Sequence, residues 1–392
     1  MSIKCNSSDV KIQNHDKLKQ DNPNEQTERL WAVDFFKGIA IMMVIFVHSA
    51  QSFLLPEWFS SVSSLGQLGC QIFFVLSAFT LCLSLSKRKQ KYGRFLLKRI
   101  ERLAPGYWSM IIIYIILAIV SIAVLGQRIM WTSLEPIDIL INIFFLNGLI
   151  PGTANNYVVL GGWFVGTVFL LYLITPMMFH LFNSSNKKWE KIRNWLFPLS
   201  VMAICLIIAG CINTFVTDEY RGFVYFNIIT QAPIYALGFS LYSVYTNGDF
   251  LKIKYTLVKM LISFCVSVIL FFVKIPFCMD LFPFFFGLGF VYAFFFAQKV
   301  DLPRTKLVRW VEKIGKISFS IYLTHTFIVF LGERLFLKVW NMLAINIPSM
   351  LLYILALPFI YGLCFLLGQL FEVYIKQIEK IIKKFKNKKG VV

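Results

Sequence analysis

Ten apolar runs, each about the length that crosses a bilayer, follow one another along this chain, and their repetition constrains the fold more than any single residue does. They lie near residues 36–55, 65–85, 106–125, 163–182, 196–214, 223–245, 256–273, 281–299, 317–336 and 349–371. A helix rising ~1.5 Å per residue needs roughly 20 such residues to traverse the hydrocarbon. Lipid offers no partner to an unpaired backbone amide, so segments of this length span as helices. The expected fold class is therefore all-α, a polytopic transmembrane helical bundle of about ten spans. Hydrophobic residues make up 58% of the chain and charged residues only 15%, which excludes a soluble domain of this size.

A shorter apolar stretch, Ile137 to Ile150, carries Asp138, Asn142 and Asn147 and stops at Pro151-Gly152, so it reads as re-entrant or interfacial. Charge tests the count, because Lys and Arg collect in cytoplasmic loops. With ten spans and both termini cytoplasmic, 33 of the 39 basic residues fall in inner segments and five in outer ones, Lys259 lying just inside the seventh helix. Counting Ile137 to Ile150 as a span would move Lys187, Lys188, Lys191 and Arg193 outside. The net charge of +19 is thus mostly topology, and no nucleic-acid partner is expected. The chain divides into a polar tail at 1–35, a membrane domain at 36–371 and a basic amphipathic tail at 372–392. In that last segment Phe371, Ile375, Ile378, Ile382 and Phe385 recur at helical spacing, which suits an inner-leaflet anchor. Residues 1–33 lack a small-residue cleavage site, so the first helix is expected to remain attached. The eight cysteines show no metal spacing and no nucleotide-binding glycine motif occurs. Neither a metal nor a permanently bound cofactor is expected.

Ionisable residues inside such segments are costly and usually face a bundle interior or a watery cavity. His48 lies eleven residues beyond Lys37, which on a helix returns to within about 20° of the same direction and ~16 Å further on. Lys37 would sit at the membrane edge and His48 near the middle. Asp34 shares the Lys37 face but lies ~21 Å from His48, too far to bond to it, and pairs more readily with Lys37 or a loop arginine. In the basic segment after the second run, Arg99 and Arg102 are three apart and face one way on a short helix that Pro105 should end or restart. Their forked donors suit a polyphosphate; topology and anionic lipid are the plainer account of this loop taken alone. Ser318 and His325 are seven apart on one face of the ninth run, and His325 is ~13 Å in from Lys316, a depth close to that of His48. Two histidines at one depth could line one cavity or serve as packing contacts between helices. Trp163 and Tyr172 open the fourth run, where a Trp is commonly an interfacial anchor, after a polar loop at Thr153 to Tyr157 that could meet a sugar.

Taken together these segments resemble the integral-membrane acyltransferase 3 family, over about Asp34 to Leu331. The resemblance rests on the basic residue, ten positions and His of Lys37 to His48, the Ile-Phe-Phe-Val-Leu-Ser stretch at 72–77, Arg99 and Arg102 before Pro105, the Trp163, Tyr172 and Pro176 spacing, and Ser-Phe-Ser-Ile-Tyr-Leu-Thr-His at 318–325. Members commonly carry Arg where Lys37 stands, Asp and Gly at the places of Gln71 and Ala78, and Glu at the place of Val168. The resemblance implies a multi-pass protein of the cell membrane, the bacterial plasma membrane, that moves an acetyl or other short acyl group to an envelope polysaccharide or lipid-linked glycan. Acyl-CoA would be the donor substrate and the lipid bilayer the other partner. His48 and His325 would then be catalytic, with Lys37, Asp34, Arg99, Arg102, Ser318, Trp163 and Tyr172 binding donor or acceptor. A glycan exporter using the same histidines as proton-relay or substrate contacts is the alternative, although no internal symmetry of the kind common in transporters is visible.

Overall fold

The computed structural model describes residues 30–51, 53–88, 90–127, 132–150, 158–183, 189–213, 225–273, 278–300, 302–342 and 347–388. The loop at 153–157 and most of the tail at 1–35 lie outside them. Every regular element among the described residues is helical. In chain order these are α1 (Trp31–Gln51), α2 (Glu57–Ser64), a 3-10 turn (Leu65–Leu68), α3 (Gly69–Lys87), α4 (Tyr92–Leu125), α5 (Pro136–Ile143) and α6 (Trp163–Asn183). They continue with α7 (Glu190–Asn213), α8 (Ile228–Thr246), a second 3-10 turn (Asp249–Lys252), α9 (Thr256–Val273), α10 (Cys278–Lys299), α11 (Lys306–Lys316), α12 (Ser318–Met342) and α13 (Ser349–Lys388).

Nine of the described helices are long and apolar enough to cross a membrane, and α8 is not among them. Its 19 residues still reach ~28 Å. What lowers its apolarity is Thr230, Gln231, Ser240 and Ser243, all buried. The helix packs against α3, α6, α7 and α10, so these groups meet protein and never lipid. Near its start Gln231 lies 3.1 Å from Gln71, at the start of α3. Past its end, Asn247 donates to Glu190 at the start of α7. Thus α8 links the two ends of the bundle, beside the nine helices that are long and apolar enough to span. The Asn227 side chain caps it, accepting from the amides of Ile229 and Thr230 at 2.8 and 3.0 Å.

The stretch read as re-entrant forms the eight-residue α5 and a turn, too short to span. Its polar residues face inward: Tyr107 donates to Asn142 at 2.6 Å, and Asn147 donates to the Gly162 carbonyl at 2.9 Å.

Pro105 behaves otherwise than expected. It neither ends nor restarts a short helix, because α4 runs unbroken through it for 34 residues. The residue four positions back is the exposed Glu101, so the ring sits where the wall of the helix is open to solvent. The chain beyond 371 likewise continues the last span: α13 is one 40-residue helix, ~60 Å long. Ile375 of that extension packs beside Gly106 of α4. We call the end carrying this extension, the start of α1 and the loop before α4 the basic face.

The packing that places the site turns on two glycines. The amphipathic α11 lies across the start of α1, with Gly38 against the Val311 carbonyl and Gly315 against the Asp34 carbonyl. A Cβ at either position would overlap backbone. Helices in lipid gain most of their association from such close approach, since burying apolar surface brings little there.

Candidate functional site

Two cavities lie on opposite sides of a partition of aromatic rings. The first, about 110 Å³, opens toward the basic face between α1, α3, α4, α6, α11 and α12. Lys37, Arg102 and Lys316 bring three cations to its wall, beside Ser77, Tyr172 and Ser318. Arg102 is half in water and lies 6.0 Å over the Phe319 ring, and Glu312 holds Lys316 at 3.1 Å. Burial pushes the Glu312 carboxyl up, but hydrogen bonds and charges from Arg304 and Lys316 outweigh it and hold the group below its ordinary value. Val168, buried in the same wall, supplies no carboxylate.

The second cavity is larger, about 490 Å³, and no charged side chain lines it among the described residues. His48 and Gln51 of α1 reach it, with Ser64, Gln67, Trp163 and Tyr225 around them. His48 stands three residues before the end of α1. Its Nδ1 lies 3.1 Å from Gln51 Oε1, and in the tautomer with Nδ1 protonated toward that oxygen Nε2 keeps a lone pair. His325 packs behind it, ring centroids 5.1 Å apart. Fully buried, His325 donates from Nδ1 to the Tyr322 carbonyl at 2.5 Å, and its Nε2 has no hydrogen-bond partner among the described residues.

The partition is Phe73, Phe164 and Tyr322. Phe164 and Tyr322 rings are 5.2 Å apart, Phe73 and Phe164 5.8 Å, and Phe73 and Tyr322 6.4 Å. Tyr322 touches both cavities. Its hydroxyl donates to the Gly161 carbonyl at 2.7 Å, while Thr326 donates to Leu160 at 3.1 Å. Gly161 has φ of 77°, a left-handed turn suited to glycine, and this clipped turn starts α6 with Trp163 facing the cavity.

Of the residues singled out in the sequence, the fold brings Lys37, Arg102, Tyr172 and Ser318 to one cavity and His48 and Trp163 to the other. Trp163 is buried there, so it is no headgroup anchor. Arg99 packs on Phe95 and lines neither cavity, although its charge, like that of Arg102, reaches Tyr172. Asp34 is buried at the start of α1 against Gly315, outside both cavities. Sequence reasoning missed Lys316, Gln51, Gln67 and Tyr322 as site residues. Gln51, one turn from His48, was a signal. Gln67 had none. Among the described residues no three His, Cys, Asp or Glu side chains gather as metal ligands do.

A many-spanning helical membrane protein with a cationic recess on one side and a histidine-bearing cavity on the other is the class that fold and site define. A family model described as an acyltransferase domain matches residues 30–369, and the chain belongs to the acyltransferase 3 family. It is a membrane acyltransferase. No curated protein and no solved structure gives a significant match.

Proposed function

We propose that this acyltransferase moves an acetyl or other short acyl group from acyl-CoA, bound from the cytoplasmic side, to a hydroxyl of an envelope polysaccharide or lipid-linked glycan. The membrane would be the bacterial plasma membrane. The observation that carries the reading is the pairing of a three-cation recess with a histidine pair one pantetheine-like reach away: Lys37 and His48 are ~16 Å apart along α1. Lys37, Arg102 and Lys316 bind the donor phosphates, where charge-assisted hydrogen bonds are strongest. The thin arm passes the rings of Phe73, Phe164 and Tyr322 and delivers the thioester beside His48.

The acceptor occupies the larger cavity, with Trp163 and Tyr225 as ring faces for a sugar and Gln51, Gln67 and Ser64 as hydroxyl partners. His48 Nε2 takes the proton of the acceptor hydroxyl, and the oxygen attacks the thioester carbonyl. The tetrahedral adduct collapses with loss of the C–S bond, and the imidazolium returns its proton to the departing CoA thiolate. His325 packs behind His48, its ring tilted 48° to it, and fixes its position. The test is purified protein with labelled acetyl-CoA and extracted envelope glycan, wild type beside His48→Ala. Label on the glycan with wild type alone supports the reading; equal transfer by both proteins removes His48 from the chemistry, and no transfer by either removes the reaction.

A further inference from the structure

A second cationic site stands ahead of the recess, on residues that the site described above does not use. Arg88, Lys91, Arg94 and Lys98 surround a cavity of about 410 Å³ with Gln90, at the loop before α4 and its first two turns. All four cations are exposed, and none of them has an acidic partner among the ion pairs of the described residues. Lys98 instead donates to Gln90 at 2.9 Å, which folds the loop back over the helix. The start of α4 adds the free amides and positive end of a long helix.

Position along α4 gives the cluster its meaning. Lys91, Arg94, Lys98 and Arg102 are spaced three, four and four residues apart and so share one side of the helix, a stripe ~16 Å long. Its inner end, Arg102, is in the wall of the recess, and its outer end is the new cavity. One elongated anion can therefore touch both. We infer that Arg88, Lys91, Arg94 and Lys98 form a separate phosphate site that reads the terminal ribose phosphomonoester of the donor, while Arg102, Lys37 and Lys316 hold its diphosphate. This rests on the donor being acyl-CoA. A phosphate could also come from an anionic lipid headgroup, and the geometry favours the nucleotide, because the stripe leads into the bundle instead of along its lipid-facing surface.

The test uses full-length protein in vesicles of neutral phosphatidylcholine, with labelled acetyl-CoA or acetyl-3′-dephospho-CoA as donor. For wild type, removing the 3′-phosphate should raise KM about tenfold with kcat held, the loss of one doubly contacted phosphate. The Arg94→Ala/Lys98→Ala variant, altered only at exposed positions, should show that raised KM with acetyl-CoA and no further penalty with the dephospho donor. Equal KM for the two donors in wild type overturns the inference and leaves the acyltransferase reading intact, as does a variant that penalises both donors alike. A difference between wild type and variant that appears only when anionic lipid is added, and equally with both donors, assigns the cluster to headgroups and overturns it too. Transfer from neither donor overturns the acyl-CoA reading and this inference with it.

Discussion

The imidazoles of His48 and His325 lie 5.1 Å apart, yet only His48 lines a cavity; His325 is wholly enclosed and tied by its Nδ1 to the Tyr322 carbonyl. That difference in access divides their roles. Replacing His48 by Ala should lower kcat about 10²- to 10⁴-fold, the usual worth of a general base, with donor KM unchanged. Replacing His325 by Asn, which still donates to the carbonyl, should cost far less. Steady-state kinetics of the two variants separates these outcomes.

Lys37 should act on donor binding alone. Lys37→Ala is expected to raise donor KM about tenfold and leave kcat within a factor of two, while Lys37→Arg retains the charge and binds donor like wild type. Isothermal titration with CoA reads the same difference without turnover.

In the proposed reaction the rings of Phe73, Phe164 and Tyr322 close around the donor arm between the two cavities. Tyr322→Ala removes a ring that touches both cavities and its bond to Gly161. Hydrolysis of acetyl-CoA in the absence of any acceptor should then rise above the wild-type rate. Thiol release followed with a chromogenic reagent measures it.

Glu312 gives a pH dependence of stability. Its folded carboxyl is held below the ordinary 4.5, so its ion pairs with Arg304 and Lys316 stabilise the fold fully above that value and are lost as pH falls through the lower one. Glu312→Gln should lower the Tm in detergent at pH 7, and the gap to wild type should close as pH falls well below 4.5.

Gly38 tests the seating of α11. Leu at this position must displace the Val311 backbone, and overpacking of this kind costs about 1–3 kcal/mol. A lower Tm with reduced donor affinity is expected, because Lys316 enters the recess from α11.

The bundle was legible in the sequence because lipid leaves a segment of 20 apolar residues one conformation. The apolar run at 223–245 marked α8 as well, and the alternation of basic loops agreed with it. Pro105 was misread because proline ends helices by local geometry, whereas here the carbonyl its ring crowds is that of the exposed Glu101 and α4 continues through it. Lys37 and His48 could be placed on one face of α1 by arithmetic, since they share a helix. Lys316 and Gln67 could not be joined to them, because their positions depend on how α11 and the 3-10 turn cross α1. The burial of Trp163 was hidden for the same reason: the turn that carries it is set by Tyr322 and Thr326, more than 150 positions away.

In the proposed reaction donor and acceptor meet across the partition from opposite faces. Proteoliposomes with labelled acetyl-CoA supplied only at the basic face and glycan acceptor enclosed only at the other measure this directly. Label on the enclosed glycan with wild type, and none with His48→Ala, is the predicted result. Label appearing only when donor and acceptor share one compartment would contradict it.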